Sequence, residues 1–190
     1  SRGGLDGNTS SGYDDIFLVK YNSSGTKQWT RQLGTSGQDE GNGVTTDSSD
    51  NIYVTGYTKG GLDGNTSSGG DDMFLVKYNS SGTKQWTKQL GSSESEEANG
   101  VTTDSSGNIY VTGFTDGGLD GNTNSCDDFL FQCSDIFLVK YNSSGTKQWT
   151  KQLVSSKQEQ GKDVTTDSSG NIYVTGYTYG GLDGNTSSGS

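Results

Sequence analysis

Residues 73–90 read MFLVKYNSSGTKQWTKQL, and residues 100–115 read GVTTDSSGNIYVTGFT. In the first stretch Met73, Leu75 and Lys77 alternate with Phe74, Val76 and Tyr78, the period-two pattern of a strand. Asn79-Ser80-Ser81-Gly82 then forms a turn, with Gly82 free to take a positive φ. The following TKQWTKQL puts Trp86 and Leu90 in one phase and polar residues in the other, a strand with one wet face. A variable polar segment leads to a third strand at GVTTD (100–104), and Ser105-Ser106-Gly107-Asn108 turns the chain into a fourth, IYVTGFT. No segment carries apolar residues at i, i+3, i+4 and i+7 for more than a turn, so almost no helix is expected.

The same words recur along the chain. FLVKYNSSGTKQWT starts at Phe17, Phe74 and Phe137, NIYVTG at Asn51, Asn108 and Asn171, and GGLDGNT at Gly3, Gly60, Gly117 and Gly180. Trp29, Trp86 and Trp149 are spaced by 57 and 63 residues. The natural division is a single array, 1–190, with repeats at 14–70, 71–133 and 134–190, the second holding an insertion at 126–133. One four-stranded unit cannot bury both of its faces alone, whereas stacked equivalent units can. That requirement is met by a β-propeller or a β-solenoid. Four strands per unit favour the propeller, because solenoid coils are shorter.

Composition narrows the partners. With 13 basic against 23 acidic residues the net charge is −10, so no nucleic-acid partner is expected. No apolar run approaches the roughly 20 residues of a helical membrane span. Histidine is absent, which removes the commonest general base and transition-metal ligand. Only 26% of residues are apolar, yet aromatics recur at fixed positions among β-branched residues, which argues for order.

DDMFLVKYNSSGTKQW, GVTTDSSGNIYVTGFT and GGLDG together resemble the bacterial "seven-bladed β-propeller" (SBBP) repeat, and the likeness covers all three units. The one departure in the turn pattern is Asp50, which stands where Gly107 and Gly170 stand in the other copies. The resemblance implies an all-β propeller of four-stranded blades. GVTTD would be the innermost strand, then IYVTG, then FLVKY, with the Trp strand outermost. The chain would then hold half a blade at each terminus. It would be completed by a second copy, as a homodimer closing a six-bladed ring, or by the remainder of a longer propeller.

Several groups are candidates for chemistry. Asp63, Asn65, Ser67 and Asp71 alternate like the oxygen ligands of a calcium loop, which makes Ca²⁺ the cofactor to consider. The helix-loop-helix version is excluded, because Ser68 and Phe74 fall where Gly and Glu are needed. The competing reading is a turn in which Asp and Asn bind backbone amides. Asp47, Asp104 and Asp167 end the inner strands, either as a ring of carboxylates or as acceptors within their own DSSGN or DSSDN turns. Trp29, Trp86 and Trp149 could stack on sugar rings, but aromatics that recur once per repeat more often pack between units. The pairs Asp14-Asp15, Asp71-Asp72 and Asp127-Asp128 could suggest glycoside hydrolysis. Adjacent residues on a strand point to opposite faces, however, so no enzyme is expected. The leading expectation is a non-catalytic extracellular or surface scaffold that binds or assembles through loops and blade edges, with a protein or glycan ligand. The alternatives are a lectin or hydrolase with a site at the channel mouth, and an engineered or consensus-like array.

CDDFLFQC, residues 126–133, holds both cysteines and has no counterpart in the other units. It falls in the link between the second and third strands of a blade. Phe129, Leu130 and Phe131 would form an apolar tip that folds back or contacts a partner. The spacing lets a hairpin close with a Cys126–Cys133 disulfide in an oxidising compartment. Together with the resemblance, this implies secretion or a cell-surface location in bacteria. Mass spectrometry of the non-reduced, alkylated protein is expected to find neither thiol modified; two labelled thiols would refute the bond.

Overall fold

The structure, a computed structural model, describes residues 3–124 and 134–187. Cys126, Cys133, Phe129, Leu130 and Phe131 lie outside the described residues. Twelve strands account for the described fold: β1 (Ile16–Tyr21), β2 (Lys27–Leu33), β3 (Asp39–Thr46), β4 (Ile52–Thr58), β5 (Asp72–Tyr78), β6 (Lys84–Leu90), β7 (Glu96–Thr103), β8 (Ile109–Thr115), β9 (Asp135–Tyr141), β10 (Lys147–Leu153), β11 (Glu159–Thr166) and β12 (Ile172–Thr178). The helical residues are two short 3₁₀ turns, Leu62–Gly64 and Leu119–Gly121.

The strands form two complete antiparallel sheets, β3-β4-β5-β6 and β7-β8-β9-β10, and two two-stranded sheets, β1-β2 and β11-β12. This is the expected strand order, with the GVTTD strands innermost and the Trp strands outermost. The chain therefore carries two whole blades between two half blades. β7 packs against both β3 and β11, so the innermost strands are neighbours from blade to blade.

Turn chemistry explains the links. Gly25, Gly82 and Gly145 close the NSSG turns at φ of 77–78°. In the inner turns Gly107 and Gly170 take the left-handed conformation, and Asp50 adopts it too, at φ 59°. Asp tolerates that region better than most side chains, so the substitution keeps the hairpin. The inner strands start earlier than the sequence suggests. β7 begins at Glu96 rather than near Gly100, and a β-bulge at Asn99 offsets the register between Ala98 and Gly100. Gly, Asn and Glu there carry loop-like propensity, but pairing with β8 overrides it.

The core lies between the blades. Ile16 joins Ile52, Val54, Leu62, Phe74, Val76 and Tyr78, with Leu18, Trp29 and Leu33 packed alongside. The opposite face of the same blade supplies Tyr53, Met73 and Leu75, with Trp86 and Leu90, to meet Val101, Ile109, Val111, Leu119, Phe137 and Val139. Alternate residues of β5 thus serve two different junctions, so each blade shares both faces. Phe74 is fully buried in one of them. Phe74→Ala is expected to cost about 3–5 kcal/mol in urea unfolding, the usual loss for truncating a buried aromatic.

Candidate functional site

The candidate site is the set of surfaces by which one blade receives the next. At the first two internal junctions the NSSG turn of a blade sits on the Trp strand of the blade before it. Arg31 donates from Nε to the Gly82 carbonyl at 2.7 Å and from Nη2 to that of Ser81 at 3.2 Å. Lys20 Nζ donates to the Ser80 carbonyl at 2.9 Å, and one blade on Lys77 Nζ repeats this with Ser143 at 3.3 Å. The turn glycine lies flat on the indole: a Cβ at Gly82 would fall 3.0 Å from Trp29, and one at Gly145 3.0 Å from Trp86. Near the axis the bulge residues reach across. Asn42 Nδ2 donates to the Ala98 carbonyl at 3.0 Å and to Glu97 Oε1 at 3.1 Å, and Asn99 Nδ2 donates to the Gly161 carbonyl at 2.8 Å.

At the two open ends the same parts are present but unmet. Phe17 is 58% exposed, whereas its copies Phe74 and Phe137 are fully buried. Val44 is 62% exposed, whereas Val101 in the next inner strand is 7% exposed. Gly25 has open space where Gly82 and Gly145 meet indoles. A groove of about 550 Å³ runs beside β1 and β3, with Ile16, Phe17, Leu18, Val44 and Val54 in its wall. A second, of about 370 Å³, lies between the face of the second whole blade and β12, walled by Ile136, Leu138, Leu153, Val174 and Leu182.

The β-propeller repeat family SBBP matches residues 28–63, 85–120 and 148–183, each stretch running from a Trp strand through the next two strands to the LDG turn. The chain belongs to the SBBP β-propeller repeat family. It is similar to the "Uncharacterized WD repeat-containing protein L264" of Acanthamoeba polyphaga mimivirus, at 32% identity over 80% of this chain. It is also similar to "Regulatory protein FlaEY" of Caulobacter vibrioides, at 27% identity over 62% of the chain. The matched stretch spans 13% of the length of each of these relatives.

Within this SBBP array the calcium-loop candidates have separate partners. Asp63, in the left-handed region at φ 54°, receives Lys84 Nζ and Thr87 Oγ1 on the outermost strand. Asn65 Nδ2 donates to the Leu62 carbonyl at 2.7 Å. Asp71 faces Lys59 at 3.8 Å, and burial holds its carboxyl above the usual range. Ser67 lies on the link between them. Among the described residues no group of three acidic, sulfur or imidazole side chains is placed to hold a metal.

The DSSGN and DSSDN aspartates act within their own turns. Asp104 Oδ1 accepts from the Ser106 and Asn108 amides at 2.9 Å each, and Oδ2 from Asn108 Nδ2 at 2.8 Å and the Tyr110 hydroxyl at 2.9 Å. Asp47 and Asp167 make the same set of contacts. Trp86 and Trp149 pack with the second strand of their own blade, at 6.1 Å from Tyr53 and 6.2 Å from Tyr110, and Trp29 lies under the Arg31 guanidinium at 5.0 Å.

Sequence reasoning missed a buried acid at the head of each inner strand. Glu96 is fully buried and accepts from Ser92 N, Ser92 Oγ and Thr115 Oγ1, each at 2.6 Å. Asp39 and Glu159 are its copies. Burial raises the Glu96 carboxyl above its ordinary value against the pull of those donors. The available signal was an acid at the same offset in three otherwise divergent links. Asp72, at the head of β5, binds Ser68 N at 2.8 Å and Gln89 Nε2 at 2.6 Å through Oδ2. Its Oδ1 lies against Gly91, where a Cβ would come within 1.8 Å, so this oxygen faces backbone rather than a cavity.

Burial pushes the Asp104 carboxyl up, but the donors from Asn108, Tyr110 and Ser106 outweigh it and hold the group below its ordinary value. The unfolded chain therefore takes up the proton first as pH falls. The stability from this turn is complete above the ordinary carboxylate range and is lost as pH drops through the folded value. Asp104→Asn is expected to cost about 1–3 kcal/mol at neutral pH, because one oxygen becomes a donor facing donors. Urea unfolding at successively lower pH is expected to show that difference shrinking below about pH 4.

Proposed function

We propose that the chain is a non-catalytic propeller scaffold whose activity is assembly, each copy completing the open blades of another. The observation that carries this reading is the match between filled and unfilled junctions. β12 repeats the sequence of β4, and residues 15–21 repeat that of β5, apart from Ile16 for Met73. The β4–β5 register runs from Ile52↔Tyr78 to Thr58↔Asp72. Copied between molecules, it pairs Ile172 with Tyr21 and Thr178 with Asp15 of a second copy. Phe17 and Val19 of that copy would enter the groove beside Ile136 and Leu138, and its Gly25 would cover Trp149. The reciprocal pairing fills the groove beside β1. Two chains, each with two whole and two half blades, then make a six-bladed ring within the usual range of roughly four to eight blades. The following repeats of a longer propeller would use the same surfaces.

Charge supports a head-to-tail join. Where Asn42 faces Glu97 inside the chain, the open end presents Lys162, whose Nζ rests on Gln160 Oε1 at 2.8 Å and over the Tyr177 ring at 5.6 Å. In the same geometry it would face Glu40 of a second copy, while inside the chain its charge already acts on Glu97 of the neighbouring inner strand. The relatives' printed names, a WD repeat-containing protein and a regulatory protein, accord with an interaction role rather than catalysis. An extracellular or surface setting, with protein or glycan ligands at the divergent loops, belongs to the same proposal.

Light scattering is expected to give twice the 20.0 kDa chain mass at micromolar concentration. A compact species at the single-chain mass would reject the reading, and open polymers would reject the closed ring. Phe17→Ser is expected to weaken association by about 100-fold or more, the equivalent of roughly 3 kcal/mol for an aromatic buried only on assembly.

A further inference from the structure

The GGLDGNT phrase builds the same clip at three places. In the first whole blade Leu62 N donates to Gln89 Oε1 at 2.9 Å, Gln89 Nε2 donates to the Gly60 carbonyl at 3.0 Å, and Asp63 takes Lys84 and Thr87. In the second, Leu119, Gly117 and Asp120 engage Gln152, Lys147 and Thr150 in the same way. In the first half blade the N-terminal copy holds the seat. Leu5 N donates to Gln32 Oε1 at 2.8 Å, Gln32 Nε2 to the Gly3 carbonyl at 3.2 Å, and Asp6 Oδ2 accepts from Lys27 Nζ and Thr30 Oγ1 at 2.5 Å each.

The fourth copy, Gly180–Asn185, has the clip's shape and, among the described residues, makes none of the seat contacts of the other three. Asp183 is left-handed at φ 56° and Gly184 at φ 81°, as at Asp63 and Gly64. Asn185 Nδ2 donates to the Leu182 carbonyl at 2.9 Å, as Asn65 does to Leu62. Among the described residues no outer strand follows β12 to offer it a lysine, threonine and glutamine.

We propose that the seat on β2, formed by Lys27, Thr30 and Gln32, is the docking site for the Gly180–Asn185 turn of a second copy, and that the chain's own Gly3–Asn8 turn occupies this seat in cis as a competitor. The inference rests on the head-to-tail assembly proposed above. When β12 pairs with a second copy's β1 in the β4–β5 register, Thr178 lies opposite Asp15 as Thr58 lies opposite Asp72. The chain then reaches the second copy's β2 two residues later, as it reaches β6 from Thr58. Two turns of one sequence meet one seat. They cannot share it, because Gln32 offers one amide to one turn and Lys27 would face two carboxylates. The N-terminal turn is therefore a plug whose displacement is part of blade closure.

Zero-length carbodiimide cross-linking of a mixture of isotope-labelled and unlabelled chains tests this directly. In a variant lacking residues 1–9, mass spectrometry is expected to recover Lys27 joined to Asp183 of the other isotopic form. In the full chain the Lys27–Asp6 link competes with it. Removing the plug is expected to tighten association by about tenfold and Asp183→Ala to loosen it by a similar factor, the range for a lost charge-assisted contact. If truncation unfolds the chain, Asp6→Ala in the full-length protein reads the same competition. Dimers that form equally well with Asp183→Ala, with no Lys27–Asp183 link, would overturn the docking site and leave the assembly intact. No dimer in any variant would instead overturn the assembly.

Discussion

Every feature of this chain follows from the need of a four-stranded sheet to bury both faces. A twisted sheet of short strands has two apolar sides, here Phe74, Val76 and Tyr78 on one and Met73, Leu75 and Trp86 on the other. Neither side finds cover inside its own blade, since the core clusters are built across junctions. Stability is thus a property of neighbouring blades, as in other repeat proteins. A blade with one neighbour keeps one face wet, and a half blade keeps an edge open as well.

The polar network is organised by the same need. Interblade packing fixes the faces but leaves many links free, and each link is tied down by a side chain from a strand end. Glu96 gathers the Ser92 amide and hydroxyl, Asp72 holds Ser68, Gln89 holds the LDG clip, and Asp104 fills its own turn. These groups lie at the sheet rims, where strand pairing stops and backbone donors would otherwise go unmet. The net charge of −10 is partly internal: several of its carboxylates are buried acceptors of neutral hydrogen bonds and are not offered to a ligand.

Much of this was legible in the sequence, and the limits have physical causes. Period-two alternation gave the strands, and the GVTTD, IYVTG, FLVKY and Trp order within each sheet followed from family likeness. Asp50 was readable as a turn residue because Asp tolerates a positive φ. The starts of the inner strands were hidden, because residues such as Gly41, Asn42 and Asn99 carry loop propensity and acquire strand geometry only by pairing with β4 or β8. The contacts of Asp63 were hidden for a different reason. Alternating oxygens describe a calcium loop and a clip equally well, and the approach of Lys84 and Thr87 comes from a strand some twenty residues away, beyond the local pattern.

Near-identical repeats pose a problem of register, since any blade could join any other. One departure from identity falls at the axis, where inner strands of neighbouring blades meet. The axial position is Asn42, Asn99 and then Lys162; Asn42 reaches Glu97 and the Ala98 carbonyl, and Asn99 the Gly161 carbonyl. An Asn at this position offers an uncharged donor, whereas Lys162 brings a positive charge that already pulls the Glu97 carboxyl downward against its burial and that, in the head-to-tail join proposed above, would also meet Glu40. At an exposed rim such a pair adds little affinity, but it raises the cost of wrong pairings and steers the approach. In the proposed assembly the interblade core would make joining favourable and the axial charges would bias which ends join, so its strength and its order would reside in different residues.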